Sequence, residues 1–176
     1  MRFIIIFIAL LSGCSSTVEQ VSVGDVVMPS EGLVFFNNPN HKVNYKASLF
    51  VKCARSDGVG ELIEVRGAFS NFWTLAKLPV GRCTLFSYKT DYFTLRMKSD
   101  EGLWFDVGSG VVNYPGDFFQ KRIDGESIEF GLKDEQGAAY TLFSKAYPEL
   151  SARLKFKFTG GCVKNCGMSK FKTEGI

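Results

Sequence analysis

The sequence has little of what side-chain catalysis requires. Its 176 residues include a single histidine, His41. They contain no phosphate-binding glycine loop, no G-x-S-x-G elbow and no H-E-x-x-H metal motif. A histidine that acts as a general base needs a partner group held in place by the fold, and His41 lies in a turn-rich stretch between Asn40 and Lys42. We expect an exposed turn histidine, and we predict that the chain is not an enzyme.

Charge of one sign and long apolar runs are also scarce. The net formal charge is only +3, which is too small to indicate a nucleic-acid partner. The apolar run at residues 3–11 (FIIIFIALL) is too short for a membrane-spanning helix, which needs about 20 residues. No motif indicates a cofactor, and we predict none.

Carboxylates are scattered along the chain without an obvious pairing. Two of them could act together as in glycoside hydrolysis, but surface and turn positions are the simpler interpretation. In particular, Asp117 follows Pro115-Gly116, and we expect its carboxylate to cap local N–H groups in a turn. The acids considered as a possible pair are Asp106, Asp117, Glu126 and Glu129.

The N-terminus carries an export signal. Arg2 precedes the apolar run, and the small residues Ser12 and Gly13 follow it before Cys14, the layout of a secretory signal peptide. The tetrapeptide Leu11-Ser12-Gly13-Cys14 resembles the lipobox of bacterial lipoproteins. The alternative is an ordinary signal peptide with an incidental cysteine.

The lipobox resemblance implies both a modification and an address. It implies that the Cys14 thiol receives a diacylglycerol, with acyl chains such as palmitate, and that the chain is cut before Cys14. Ser15 implies transfer to the outer membrane, with the protein facing the periplasm. We therefore expect a signal peptide at 1–13, a lipidated N-terminus and tether at 14–30, and one domain at 31–176.

The remaining chain has the pattern of a β protein. Short segments with alternating apolar residues recur between Gly-, Asn- and Asp-rich turns, as in Phe93–Met97 and Leu103–Val107. This pattern predicts a mainly β fold, an antiparallel β-sandwich of prealbumin-like or immunoglobulin-like type. Three- and four-residue spacing of apolar side chains after Asp134 predicts one helix at about 135–147, packed on the sandwich and ended or disturbed by Pro148.

Two segments resemble a known family. Residues 78–85 (LPVGRCTL) resemble the leucine-proline-x-glycine-x-tyrosine corner of prealbumin-like, or transthyretin-like, domains, with Cys83 where an aromatic residue is usual. Residues 110–118 (GVVNYPGDF) resemble the valine-x-tyrosine-x-glycine-aspartate segment of small bacterial lipoproteins that carry such a domain. The resemblance implies a fold more than an activity, because these families largely lack an assigned one.

Four cysteines remain after Cys14, and an even count in an exported chain suggests two disulfides. We favour Cys53–Cys83 across the sandwich with Cys162–Cys166 as a local loop. The rival arrangement ties Cys162 and Cys166 to Cys53 and Cys83. A four-cysteine zinc site is disfavoured, because only one C-x3-C pair exists and the compartment oxidises thiols.

Trp104 is the best candidate for a binding residue. Leu103 and Phe105 occupy the other face of its strand, which leaves the indole available to stack on a sugar or peptide. The alternative is that the ring belongs to the core or to a helix-covered face.

The C-terminal part is basic, with seven Lys or Arg against two Glu from Lys145 onward. These cations could meet anionic lipid, although guarding of an edge strand and solvation of the tail explain them more simply. The sequence predicts a membrane-anchored, non-enzymatic binding or scaffold component of an envelope assembly, with an envelope protein as partner. The alternatives are a carbohydrate- or peptide-binding module and, third, a small hydrolase.

Overall fold

The computed structural model describes residues 16–18, 27–39, 47–54, 60–66, 73–90, 94–96, 102–122, 127–162 and 169–172. These residues form fourteen strands and two helices. The first eight strands are β1 Ser16–Val18, β2 Glu31–Asn37, β3 Ala47–Ala54, β4 Gly60–Arg66, β5 Trp73–Pro79, β6 Gly81–Thr90, β7 Thr94–Arg96 and β8 Leu103–Val107. The later elements are β9 Val111–Tyr114, β10 Asp117–Arg122, β11 Ser127–Lys133, α1 Gln136–Ala146, α2 Pro148–Arg153, β12 Lys155–Phe158, β13 Gly160–Cys162 and β14 Ser169–Lys172.

The strands make two sheets. The first sheet has the order β1-β4-β3-β6-β8-β13, with β7 beside β6. Its pairs are antiparallel except β1 with β4, which run in the same direction. The second sheet has the order β12-β9-β2-β10-β11-β14, with β5 beside β2.

The second sheet is mixed, so the prediction of wholly antiparallel pairing is wrong for it. Strands β9 and β10 run beside β2 in the same direction, and β12 runs parallel to β9. A parallel pair needs a long connection between its strands. The two helices lie between β11 and β12 in the chain. They form part of the long connection that brings β12 alongside β9 in the same direction.

Both sheets contribute to one core cluster. Val34 and Phe36 of β2 pack in it with Leu49 of β3 and Phe105 of β8. Leu33 and Phe35 of β2 point the other way, into a cluster that includes Phe143 of α1. Strand β2 is therefore buried on both faces, which explains why its sequence is a continuous apolar run.

The C-terminal helix is present, and with it the mainly β fold with a helix is confirmed. Helix α1 spans Gln136–Ala146, within the predicted range. The Asp134 carboxylate accepts a hydrogen bond from the Gln136 N–H at 3.1 Å, as expected for the first turn. Pro148 begins the short helix α2, a position where its missing N–H costs nothing.

One corner carries the chain from the second sheet to the first. Strand β5 ends at Pro79 and β6 begins at Gly81, with only Val80 between them. Gly81 has φ +134°, a conformation that side chains disfavour. Gly81 is thus needed here for its backbone conformation.

Candidate functional site

The proposed lipidation residue, Cys14, lies outside the described residues, and so does the signal peptide. The described chain begins two residues later, where β1 (Ser16–Val18) pairs with β4. This short strand falls inside the segment predicted as a tether. Among the described residues, none forms a helix long and apolar enough to cross a membrane.

Cys53 and Cys83 form a disulfide. The sequence predicted this pair, but placed it between the two sheets. The two cysteines instead lie directly opposite each other on neighbouring strands β3 and β6 of the first sheet. Both side chains are fully buried in the core. The bridge therefore ties two strands that already pair.

The second predicted pair, Cys162–Cys166, stays a prediction. The backbone of Cys162 ends strand β13, but its side chain and Cys166 lie outside the described part of the chain. The two preceding glycines, Gly160 and Gly161, belong to β13 and pair with β8. Gly161 has no side chain and can therefore lie against the Trp104 indole.

Trp104 is half-buried on the outer side of the first sheet. The guanidinium carbon of Arg82 lies 3.8 Å from the centroid of the indole. Arg82 is held there by Asp106, with Nε to Oδ1 at 2.9 Å and Nη2 to Oδ2 at 3.1 Å. Gly161 lies so close that an added Cβ would come 2.4 Å from the indole Cζ2. The indole therefore already has partners within the protein.

A buried polar cluster joins three strands of the second sheet. The Asn37 amide donates to Asp117 Oδ1 at 2.6 Å, and the Tyr114 hydroxyl donates to the same oxygen. The Tyr114 hydroxyl is also 3.4 Å from the Lys133 carbonyl oxygen. Asn37 ends β2, Tyr114 ends β9 and Asp117 begins β10, so the cluster locks the point where these strands meet.

The sequence interpretation of Asp117 as a turn carboxylate is wrong. Asp117 is buried and bonds to side chains, because β10 starts at this residue and turns it inward. Burial raises the pKa of Asp117, while the hydrogen bonds from Tyr114 and Asn37 oppose that rise. Burial also raises the pKa of Tyr114, so its hydroxyl stays protonated and donates the hydrogen bond to Asp117. The valine-x-tyrosine-x-glycine-aspartate motif was the signal that could have predicted this bond.

Tyr114 is also part of the helix-side packing. Its ring stacks on Phe156 with centroids 5.4 Å apart, and its side chain is fully buried. It therefore offers no surface for stacking on a ligand. The arrangement of Asn37, Tyr114 and Asp117 stabilises the fold and presents no open cleft.

An open groove of about 740 Å³ lies between the helices and β12. The exposed Tyr140 ring stands 5.7 Å from that of Phe156. The Gln136 side chain donates to the Phe156 carbonyl oxygen at 3.1 Å. The groove combines aromatic, amide, hydroxyl and cationic side chains, and its lining residues are Gln136, Gly137, Tyr140, Ser151, Ala152, Arg153, Leu154, Lys155 and Phe156.

The other candidate residues do not come together in the described structure. Asp106 is paired with Arg82, and Glu129 lies in β11, where only its backbone is described. His41 and Glu126 fall outside the described ranges. Where the structure describes side chains, no group of three or more His, Cys, Asp or Glu is placed to hold a metal ion.

No protein-family model, no curated protein and no solved structure matches this chain.

Proposed function

We propose that this chain is a bacterial lipoprotein, anchored by acyl chains on Cys14 to the outer membrane and facing the periplasm. Its domain is a non-enzymatic binding or scaffold component of an envelope assembly. The observation that carries the proposal is the tetrapeptide Leu11-Ser12-Gly13-Cys14 after Arg2 and a nine-residue apolar run. Two or three acyl chains hold a protein stably on a membrane, at about 0.8 kcal/mol per buried methylene.

The disulfide supports this compartment. Disulfides persist in oxidising surroundings such as the bacterial periplasm and are rare in the cytosol. Cys53–Cys83 is such a bond, buried in the core. It fits an exported domain.

We further propose that the two sheets form a sandwich of the prealbumin-like class. The corner at Pro79, Val80 and Gly81 passes between the sheets, and the residues of both sheets share one core. The mixed second sheet departs from a wholly antiparallel sandwich. The family assignment therefore rests on the two sequence motifs.

Crosslinking in intact cells tests the scaffold role. A photo-crosslinking residue at Tyr140, in the groove, is compared with one at Lys89, which is exposed at the end of β6. We expect one consistent envelope-protein adduct from Tyr140 in native membranes, and its loss when Cys14→Ser prevents anchoring. The same adducts from both positions, or no consistent adduct from either, would argue against a specific assembly partner.

A carbohydrate- or peptide-binding module is the second candidate, and the groove favours it more than Trp104 does. Arg82 already covers the Trp104 ring, whereas Tyr140 is 43 % exposed beside polar Gln136 and Ser151. Titration with envelope glycans and peptides, followed by calorimetry, tests this role. Binding that is lost in Tyr140→Ala and kept in Trp104→Phe would support the groove, and binding lost only in Trp104→Phe would contradict it.

A further inference from the structure

The pairing of β1 shows where the described chain that follows Cys14 joins the first sheet. Ser16 of β1 lies opposite Ile63 of β4, and the two strands run in the same direction. Cys14 precedes Ser16 by two residues, which can span at most about 7 Å. The strand that follows Cys14 in the sequence therefore starts toward the end of the first sheet where β4 begins, at Gly60.

The strand registers place three described turns at this same end. Gly60 pairs with Ala54 at the end of β3, and Gly81 at the start of β6 pairs with Val107 at the end of β8. In the second sheet, Glu31 at the start of β2 pairs with Pro79. We call this the basal end; its described parts are the turn at 28–31, Val80 and the turn at 108–110.

Two exposed apolar side chains project from the basal end. Met28 is 60 % exposed and Val80 is 40 % exposed. Their turns are joined, because the Val80 N–H donates to the Ser30 carbonyl oxygen at 2.9 Å. The turn itself is fixed by Glu31, whose N–H donates to the Met28 carbonyl and whose carboxylate accepts from the Met28 N–H at 3.0 Å. These side chains stand on ordered turns and need no rearrangement to contact an apolar phase.

Positive charge lies at the same end of the domain. Lys155 at the start of β12 pairs with Val111, the residue that follows the turn at 108–110. Arg153 ends α2 two residues earlier, and both side chains are exposed. Cations beside exposed apolar groups are the combination that anionic membrane surfaces attract.

We propose that the basal end lies on the membrane. Met28 and Val80 enter the boundary between head groups and acyl chains, and Arg153 and Lys155, which also border the groove, contact anionic phospholipid head groups. This inference rests on the proposed lipid anchor at Cys14, and it adds a second contact that sets the orientation of the domain. The opposite end of the sheets then points away from the bilayer.

Fluorescence quenching from the membrane tests the orientation. The mature, acylated protein carries an environment-sensitive fluorescent amino acid at Val80 or, as the control, at Lys89. These positions lie at opposite ends of β6, roughly 30 Å apart at ~3.3 Å per residue. In vesicles of zwitterionic and anionic phospholipid with a lipid-borne quencher, we expect loss of fluorescence at position 80 and none at position 89. Equal quenching at both positions, or none at either, would overturn the inference.

The charge contribution has its own control. We expect position 80 to be quenched more in vesicles that contain anionic lipid than in purely zwitterionic vesicles. The double variant Arg153→Gln with Lys155→Gln should abolish this difference. Lys89→Gln with Arg96→Gln removes the same charge elsewhere and should leave that difference intact; the reverse pattern would contradict the head-group contact.

Mass measurement of each sample separates the two proposals. Unacylated mature protein would overturn the anchor and with it this inference, whereas acylated protein with equal quenching would overturn this inference alone.

Discussion

Removing the Tyr114 hydroxyl is the sharpest test of the buried polar cluster. Tyr114→Phe keeps the ring that stacks on Phe156 at 5.4 Å and deletes only the donor to Asp117. A buried hydrogen bond to a charged group contributes about 1.5–3 kcal/mol to stability. Because Tyr114 is fully buried, water cannot replace the lost donor. We expect the free energy of unfolding to fall by about 2 kcal/mol.

Urea unfolding of the mature, oxidised chain measures this cost. The midpoint should fall with an unchanged m-value, because the change removes one bond and exposes no new surface. Tyr140→Phe makes the same chemical change on an exposed ring, and it should alter stability by no more than about 0.5 kcal/mol. A loss in Tyr114→Phe no larger than in Tyr140→Phe would refute the claim that the hydroxyl stabilises the junction of β2, β9 and β10.

Three further effects follow from the same contacts. Replacing both Cys53 and Cys83 by Ser should lower the free energy of unfolding by about 3–4 kcal/mol, since the 30-residue separation sets the loop that the bond closes; a loss below 1 kcal/mol by urea unfolding would contradict this. Gly161→Ala places a Cβ 2.4 Å from the Trp104 indole, so it should lower the free energy of unfolding by about 1–3 kcal/mol and alter the tryptophan emission. The control Gly137→Ala, where the new Cβ meets open space, should leave stability unchanged or raise it. Burial raises the pKa of Asp117, so the folded chain binds a proton on this carboxyl group more readily than the unfolded chain does. The contribution of Asp117 to the free energy of unfolding should therefore be greatest below about pH 4 and fall as the pH rises through the pKa of the folded state. Asp117→Asn should remove that dependence in pH-resolved unfolding, and an unchanged pH profile would contradict the assignment.

Local patterning predicted most of the β structure. Leu103, Phe105 and Val107 alternate with Trp104 and Asp106, and β8 occupies that segment with the first three buried. The helix was predictable for a similar reason, since its apolar spacing and Asp134 both lie within one short stretch. These features are encoded by neighbours in the sequence.

What could not be predicted depends on pairing between distant strands. The Cys53–Cys83 pair was predicted, but the alternation of side chains along a strand does not reveal that β3 and β6 are neighbours in one sheet. Asp117 follows a proline and a glycine and so resembles a turn residue, although its partner Asn37 lies 80 residues away. Strand β13 could not be predicted from its own residues, because glycines such as Gly160 and Gly161 usually weaken a strand. The nearby Trp104 indole, which leaves no room for a side chain at Gly161, gives the reason for a glycine there.

The chemical state of Cys14 tests the central claim most directly. Intact-mass and peptide mass spectrometry of the membrane-extracted protein should show an N-terminus at Cys14 carrying diacylglycerol, with residues 1–13 removed. The Cys14→Ser variant should carry no acyl chain and should leave the membrane fraction or retain its signal peptide. A mature N-terminus elsewhere, an unmodified Cys14 thiol, or continued acylation of Cys14→Ser would contradict the lipoprotein account.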